Sequence, residues 1–317
     1  MEYNGIFLFR IERLFMYKLI YLLFLTLCTI GDNTFGQLLD NSQGNALSDR
    51  PFFNEDLIRE NKIKSISGDF TVKKVGDILR DTELGRTYFF NRKGQLVKSL
   101  ETTQASIGLD TLVSYFEYNE AGDITAIRTK DHYGFYATIY KYDSLGRVIR
   151  EEFRRNLNKN NSSFDLEIGK EFVVTYETSS YQEFDGQQKR TVYNSYGTPY
   201  KDVFTYYDED GLITQKVERL QRTSGTKSTN YSYNEKGLLD TIKVVSSQSG
   251  IKKREYVFSY DEWNNLIKKE YYKNGEYITE ERVLYDEETM MINYIMTQEV
   301  STGYIMVLEL SKYEFYD

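Results

Sequence analysis

The side chains that could carry catalysis are few in this sequence. His132 is the single histidine, and Asp131 beside it could suggest an acid–base pair. Adjacent residues of a β-strand face opposite ways, so these two side chains could not serve one proton transfer together. We therefore interpret His132 as a loop residue without a catalytic role.

Three aspartates recur in register and could form a ladder of calcium ligands, namely Asp143, Asp208 and Asp261. Calcium prefers carboxylate and carbonyl oxygens. However, Asn takes the same place in half of the copies of the surrounding repeat, which a turn accepts and a metal site tolerates poorly. We interpret the aspartates as turn residues, and we predict no metal and no cofactor.

Two pairs of adjacent acids, Glu151-Glu152 and Glu280-Glu281, have the residue types that a glycosidase uses. That reaction needs two carboxyl groups on either side of one sugar bond, whereas neighbours on a strand point to opposite faces. The sequence also lacks Gly-rich phosphate loops, metal-spaced histidines and Gly-x-Ser-x-Gly elbows. We therefore expect a protein that is not an enzyme.

The sequence contains an internal repeat, and a repeat of this kind indicates a fold built from one repeated structural unit. Its clearest copy is YKYDSLGRV, from Tyr140 to Val148. Each copy has an aromatic residue directly before an Asn or Asp, and most have Gly three residues later. Asn or Asp can begin a type I turn by accepting hydrogen bonds from the following backbone, and Gly accepts the positive φ that closes a hairpin. The predicted turn residues are Asn91, Gly94, Asn119, Gly122, Asp143, Gly146, Asn194, Gly197, Asp208, Gly211, Asn234, Gly237, Asp261 and Asp286.

The spacing of the turns indicates one hairpin per repeat. Successive turn residues lie 28, 24, 51, 14, 26, 27 and 25 positions apart, so the usual period fits two strands and two turns. The two irregular spacings, of 51 and 14 residues, indicate a longer loop at 156–163 and then an out-of-phase hairpin at Asn194. The sequence predicts an all-β, antiparallel meander of hairpins that curls into an open spiral or partly closed sheet. A β-propeller is the alternative, because two hairpins make a four-stranded blade.

The copy at Tyr140 resembles the tyrosine-aspartate (YD) repeat of the Rhs family, whose pattern is an aromatic, a spacer, Tyr-Asp, two residues and Gly-Arg-Leu. In large Rhs and toxin-complex proteins such repeats wind a sheet into a hollow shell around a toxic polypeptide. The resemblance implies a hairpin architecture over about Tyr88 to Met291. The self-cleaving segment that ends those shells has no counterpart here, so the resemblance does not bring their function with it.

The N-terminal residues differ in kind from the rest of the chain. Leu19 to Ile30 is an apolar run that follows Lys18, and small residues precede Gln37. This pattern is typical of a secretory signal, too short to span a bilayer easily. We predict a signal peptide over residues 1–36 with the start at Met16, a leader over 37–67 that forms a short helix or first strand, and the repeat domain over 68–317.

The predicted location is therefore the periplasm, the cell surface or the medium. A lipoprotein attached through Cys28 is less favoured, because the bulky Leu27 precedes the cysteine. The chain carries a formal charge of −8, which argues against nucleic acid and anionic lipid as partners. No integral membrane span is expected after processing.

Tyrosine is abundant, with 29 residues. A sheet covered on one side would expose aromatic residues suited to stacking on sugars or gripping a protein; the candidates are Tyr206, Tyr271 and Phe89. The alternative is that both faces are covered. We expect a non-enzymatic binding or structural protein of the cell envelope, with a protein or glycan partner. The alternative is a carbohydrate-active module, either a glycan binder or a hydrolase or lyase that uses carboxylates and tyrosine.

Overall fold

The computed structural model describes residues 37–105, 108–131, 134–159, 165–247 and 250–317. The predicted signal peptide and His132 lie outside these residues. One helix, α1 (Glu55–Glu60), precedes the sheet. The strands are β1 (Ile63–Lys73), β2 (Arg80–Phe90), β3 (Leu96–Gln104), β4 (Leu109–Tyr118), β5 (Ile124–Asp131), β6 (Gly134–Tyr142), β7 (Val148–Asn158), β8 (Ile168–Phe184), β9 (Gln187–Tyr193), β10 (Pro199–Tyr207), β11 (Ile213–Leu220), β12 (Thr226–Tyr233), β13 (Leu239–Ser246), β14 (Lys252–Tyr260), β15 (Leu266–Lys273), β16 (Glu276–Tyr285), β17 (Ile292–Glu299) and β18 (Tyr304–Phe315).

The strands close into an antiparallel β-barrel of 18 strands. Each strand pairs with its neighbours in sequence, and β1 pairs with both β2 and β18. The predicted all-β meander is confirmed, whereas the open spiral and the alternative β-propeller are wrong. The reason is that β1 begins at Ile63, within the segment expected to be a leader, and supplies the strand that joins β18 to β2. Closure removes the two unpaired edges that an open sheet would expose.

The repeat turns lie mainly at one end of the barrel. Strand direction alternates around an antiparallel barrel, and seven of the described repeat turns follow an even-numbered strand. They share one end, which we call the turn end. The turn at Asn194 follows β9 and therefore lies at the opposite end. The hairpin of β9 and β10 is thus reversed in phase relative to the other hairpins.

In each turn the Asn or Asp side chain holds the following backbone. At Asn91, Oδ1 accepts from the N–H groups of Lys93 and Gln95 at 2.9 and 3.1 Å. At Asp143, Oδ1 accepts from Leu145 and Arg147 at 2.9 and 3.0 Å. Both side chains have this oxygen, which explains why Asn and Asp exchange between the repeats.

In five of the eight repeats that the structure describes, a tyrosine latch connects the hairpin to the previous one. The aromatic residue directly before a turn donates its hydroxyl to the carbonyl of the residue that opens the preceding outgoing strand. Examples are Tyr118 to Leu96, at 2.8 Å, and Tyr142 to Ile124, at 2.6 Å. Further latches of this kind are Tyr233 to Ile213, Tyr260 to Leu239 and Tyr285 to Leu266. The repeated tyrosine therefore buries its ring and satisfies its hydroxyl in one geometry.

The segment before β1 lies inside the barrel and forms much of its core. Leu39 and Ile58 are fully buried, and Phe53 stacks edge-on against Tyr88 and Phe90 with ring centroids 4.9 and 5.0 Å apart. From strand β15, the Lys269 ammonium donates to the Ala46 carbonyl at 3.2 Å. Residues 37–61 thus act as an internal plug that the surrounding strands bury.

Candidate ligand-binding cavity

A cavity of about 410 Å³ remains between the plug and the inner wall of strands β2 to β6. The plug lines it with residues 47–50 and Phe52, and the wall contributes residues from all five strands. Ligand sites are typically concave spaces of about 300–1,000 Å³ in which apolar walls carry a few polar groups. The position and size of this cavity make it the candidate site.

Arg86 on β2 is the central polar group of the cavity. Its Nη2 lies 2.5 Å from Glu101 Oε2 on β3, and its Nη1 donates to the Tyr88 hydroxyl at 3.3 Å. The Nε–H group of Arg86 is buried and has no hydrogen-bond acceptor among the described residues. Burial opposes the charge of the guanidinium, but the neighbouring Tyr88 and Glu101 outweigh burial and raise the pKa of Arg86.

A row of hydroxyl groups crosses the wall opposite the plug. Ser99 on β3 pairs directly with Ser114 on β4, and Ser114 pairs with Thr129 on β5. Cross-strand partners share a face of the sheet, and all three residues line the cavity. The Ser114 and Thr129 oxygens lie 3.4 Å apart. These groups can both donate and accept hydrogen bonds.

Aromatic rings supply the apolar part of the lining. Phe52, Tyr88, Phe116 and Tyr140 border the cavity. Burial, and secondarily the charge of Glu151, raises the pKa of Tyr140, while Arg50 opposes this change. Tyr140 is therefore a neutral hydroxyl that can bind a polar ligand atom while its ring contacts apolar surface.

The charged groups of the cavity balance one another. Two cations, Arg50 and Arg86, and two anions, Asp49 and Glu101, line it. Arg50 also borders a second cavity of about 560 Å³, which lies between the plug and the β4–β5 turn and includes Glu55 and Tyr118. A lining without excess charge favours a neutral polar ligand over an ion, because no unpaired charge of opposite sign in the cavity would balance the charge of a bound ion.

The turn residues predicted from the sequence lie at the ends of the barrel and not around this cavity. Of the three candidate aromatics, Phe89 has the Lys98 ammonium 6.0 Å from its ring centroid, and Tyr271 stacks on Tyr256 at 5.1 Å. Tyr206 lies opposite Gln215 and Gln187 in the sheet. None of the three lines the cavity.

The paired acids point to opposite faces of the wall. Glu152 contacts Arg150 and Arg154, whereas Glu151 lies across from Tyr140, a residue of the cavity lining. Likewise, Glu280 accepts from Tyr277 at 2.6 Å, while Glu281 pairs with Lys269 at 2.9 Å. Neither pair brings two carboxylates to one point.

Sequence reasoning missed Arg86, Glu101 and the serine row. Arg86 and Glu101 are 15 positions apart and meet only because β2 and β3 pair in the register that places them side by side. Tyr88 and Tyr140 could have been found, since both occupy the aromatic position three residues before a repeat Asn or Asp. The structure places that position on the inner face.

In the ranges described above, no cluster of His, Cys, Asp and Glu has an arrangement that could hold a metal ion. No helix in the same ranges has the length and hydropathy needed to cross a bilayer.

Known proteins offer only distant likenesses. No family model and no curated protein matches the chain. A porin-like protein from Bacteroides uniformis is 10% identical with a TM-score of 0.35, over 80% of this chain and 98% of that one. A LolA superfamily protein from Nitrosomonas europaea is 12% identical with a TM-score of 0.22, over 82% and 92%. The TcdB2-TccC3-TEV structure is 14% identical with a TM-score of 0.23, over 74% of this chain and 15% of that one.

Proposed function

We propose that this chain is an exported, non-enzymatic binding protein that takes a small, neutral, hydroxyl-rich ligand such as a mono- or disaccharide into the cavity beside Arg86. The observation that carries the proposal is the buried Nε–H of Arg86, which lacks an acceptor among the described residues. A buried donor without a hydrogen-bond acceptor costs about 1–3 kcal/mol of stability, so such a group usually has a functional role. A ligand oxygen in the cavity would supply the missing acceptor.

The remaining lining supports a sugar-like ligand in particular. The row formed by Ser99, Ser114 and Thr129 offers several donors and acceptors at neighbouring positions. Tyr140 and Phe116 offer ring surface for the apolar face of a sugar. The Arg86–Glu101 pair provides charged hydrogen-bonding groups that already neutralise each other.

The outer wall of the barrel suits a protein surrounded by water or by polar partners. Ion pairs link neighbouring strands there, as between Lys243 and Glu255 at 3.1 Å and between Lys189 and Asp202 at 3.4 Å. Export is inferred from the signal pattern at 1–36, and the periplasm or the cell surface remains the proposed location.

We also propose that the chain is a small relative of the YD-repeat proteins. The support is local: the Asn or Asp of each repeat begins a turn, and in five repeats the tyrosine before it forms the latch to the preceding hairpin. The proposal concerns architecture, and the binding function rests on the cavity.

Calorimetric titration of residues 37–317 with neutral mono- and disaccharides tests the binding proposal. Arg86→Lys keeps the charge opposite Glu101 but loses the fixed guanidinium fork. A hydrogen bond to a charged group contributes about 1.5–3 kcal/mol, so the variant should bind roughly tenfold to hundredfold more weakly. Arg219→Lys is the matched control, because Arg219 is exposed and lies over the Phe204 ring.

The release of reducing sugar from oligosaccharides is followed in parallel. Binding that weakens in Arg86→Lys and not in Arg219→Lys, without release, is the expected result. Release would overturn the non-enzymatic part of the proposal. Absence of binding to the whole panel, or equal binding by both variants, would overturn the assignment of the site.

A further inference from the structure

A second polar region lies on the inner wall, on strands β9 to β12 and apart from the candidate cavity. We call it the cationic patch, and it consists of Arg190, Thr205, Lys216, Glu218, Lys227 and Thr229. Its residues belong to two adjacent rows of the sheet. One row contains Arg190, Glu218 and Lys227, and the other contains Thr205, Lys216 and Thr229.

The register shows that the cationic patch faces inward. Lys216 pairs with Thr229, and Thr229 pairs with Val244, a buried residue of the core cluster that includes the plug. Cross-strand partners share a face, so Lys216 points to the same side as Val244. Thr205 and Thr229, which flank Lys216 directly, are both buried.

Lys216 has no hydrogen bond or ion pair among the described residues, unlike the other charges of the patch. Lys227 Nζ lies 2.6 Å from Glu218 Oε1. Arg190 donates from Nε to Ser179 Oγ at 2.7 Å. The single carboxylate of the patch is thus already paired, and the patch keeps an excess of positive charge.

The surroundings of Lys216 are electrostatically unfavourable for its charged form. Burial, followed by repulsion from Lys227 and Arg190, lowers the pKa of Lys216, and Glu218 compensates only in part. Beyond the patch, Glu177 accepts from the Tyr200 hydroxyl, and both Glu177 and Arg190 influence the pKa of Tyr200. A partly buried cation whose nearby carboxylate is already paired with another lysine is stabilised by an anion that can reach it.

We propose that the cationic patch binds a small oxyanion, a carboxylate or a phosphate, at Lys216 with Arg190 and Lys227 around it and the hydroxyl groups of Thr205 and Thr229 on either side. Lysine binds such groups as a point charge, arginine adds directed donors, and threonine hydroxyls complete the coordination of oxygen atoms. The inference does not depend on the sugar site, because no residue of the patch lines that cavity.

Titration with sodium acetate, inorganic phosphate and a sugar phosphate, at constant ionic strength, tests the proposal. The first readout is the pKa of Lys216, followed by NMR on protein labelled at the lysine side-chain carbons; a bound anion should raise it. The second is the thermal midpoint, which should rise with anion concentration because the ligand binds the folded state only.

Lys216→Met should weaken anion binding at least tenfold and should also raise the midpoint of the anion-free protein, because it removes a partly buried charge that Lys227 and Arg190 repel. Lys243→Met is the matched control on the outer wall, where Lys243 pairs with Glu255. It should leave both the anion affinity and the anion-dependent shift unchanged.

The arms of the titration separate the sources of the oxyanion. Tighter binding of phosphate than of acetate indicates a phosphate ligand, and tighter binding of the sugar phosphate indicates a phosphorylated organic molecule. The proposal is overturned if no anion changes the pKa of Lys216, or if Lys216→Met and Lys243→Met lose binding equally.

Discussion

At the scale of single residues, the tyrosine latch explains why five of the repeats have Tyr and not Phe directly before the turn. The ring is partly buried, and the hydroxyl has one specific acceptor on the preceding hairpin. Burial, together with the charge of Asp123, raises the pKa of Tyr142 to about 12, so this hydroxyl stays neutral and donates throughout the physiological range. Each latch is thus a neutral hydrogen bond in a protected place.

Tyr285→Phe should therefore lower the free energy of unfolding by about 1–2 kcal/mol, because it leaves the Leu266 carbonyl without its donor. Tyr206→Phe is the control, since no hydroxyl bond of Tyr206 occurs among the described residues. Urea denaturation measures both variants. Equal losses in the two would mean that the latch contributes nothing specific.

Glu152 is a buried carboxylate whose protonation should lower the stability of the fold. It is buried on the outer wall, where Arg150 Nε lies 2.6 Å from one oxygen and Arg154 Nε donates to the other at 2.8 Å. Burial alone would raise the pKa of Glu152, but Arg154 and Arg150 outweigh it and lower the pKa. The stabilisation is present above the unfolded pKa, near 4.5, and is lost as the pH falls through the lower folded value.

The free energy of unfolding should accordingly fall as the pH drops below about 5, and Glu152→Gln should flatten that dependence. Glu287→Gln, in an exposed turn, should leave the slope as it is in the parent. Chemical denaturation at a series of pH values gives the slopes. A slope in Glu152→Gln as steep as that of the parent would contradict the assignment.

At the scale of elements, the turns look alike in sequence but differ in what lies against them. Gly94 and Gly146 both have positive φ, at 87° and 73°. A Cβ at Gly94 would lie 1.9 Å from the Glu55 carbonyl of the plug, whereas a Cβ at Gly146 would meet open space. The first turn therefore also serves as a contact for α1.

Gly146→Ala should cost about 1 kcal/mol, the usual penalty of a left-handed conformation for alanine. Gly94→Ala should cost clearly more, because the backbone of α1 must move as well. Thermal or urea unfolding compares the two variants directly. If both substitutions cost the same, the close approach of the plug to this turn is not a structural constraint.

The plug supplies apolar contacts that the strands alone do not make. Phe53 is 6% exposed and touches Tyr88 and Phe90, whereas Phe184 at the β8–β9 turn is 56% exposed. Phe53→Ala should lower stability by about 3–5 kcal/mol, as expected for a buried aromatic. Phe184→Ala should cost far less, and increased dye binding by the first variant only would indicate a loosened core.

At the scale of the whole molecule, closure through β1 and β18 should be visible in hydrogen exchange. These strands pair over most of their lengths, for example Phe70 with Leu308 and Thr71 with Val307. Their amides should exchange as slowly as those of the other paired strands. In the described part of the chain, residues Ile168 to Thr178 of β8 pair with β7, whereas pairing with β9 begins only at Thr178. Amides near Phe172 that point away from β7 should therefore exchange faster.

An open sheet would give the opposite pattern at the seam, with rapid exchange along one edge of β1 or β18. The amides of β8 that lack a partner strand serve as the internal control, because they show the exchange rate expected of an unpaired edge.

The sequence by itself determined the hairpins. The identity of the turn residue, the glycine that follows and the aromatic before it are all local, because a turn is specified by hydrogen bonds and φ angles within a few residues. For the same reason the paired acids could be separated onto opposite faces without a structure. An antiparallel, all-β meander followed directly from the repetition of that unit.

Only the tertiary structure decided that the sheet closes into a barrel, which face of each strand points inward, and where the cavity forms. Both faces of the strands carry aromatic residues, so alternation puts Tyr88 and Phe89 on opposite faces without showing which face is the inner one that lines the cavity. Closure depends on pairing between β1 and β18, more than 230 residues apart, and on twist and stagger summed over the whole sheet. Once the barrel had closed around residues 37–61, register alone placed Arg86 beside Glu101 and Lys216 between two threonines.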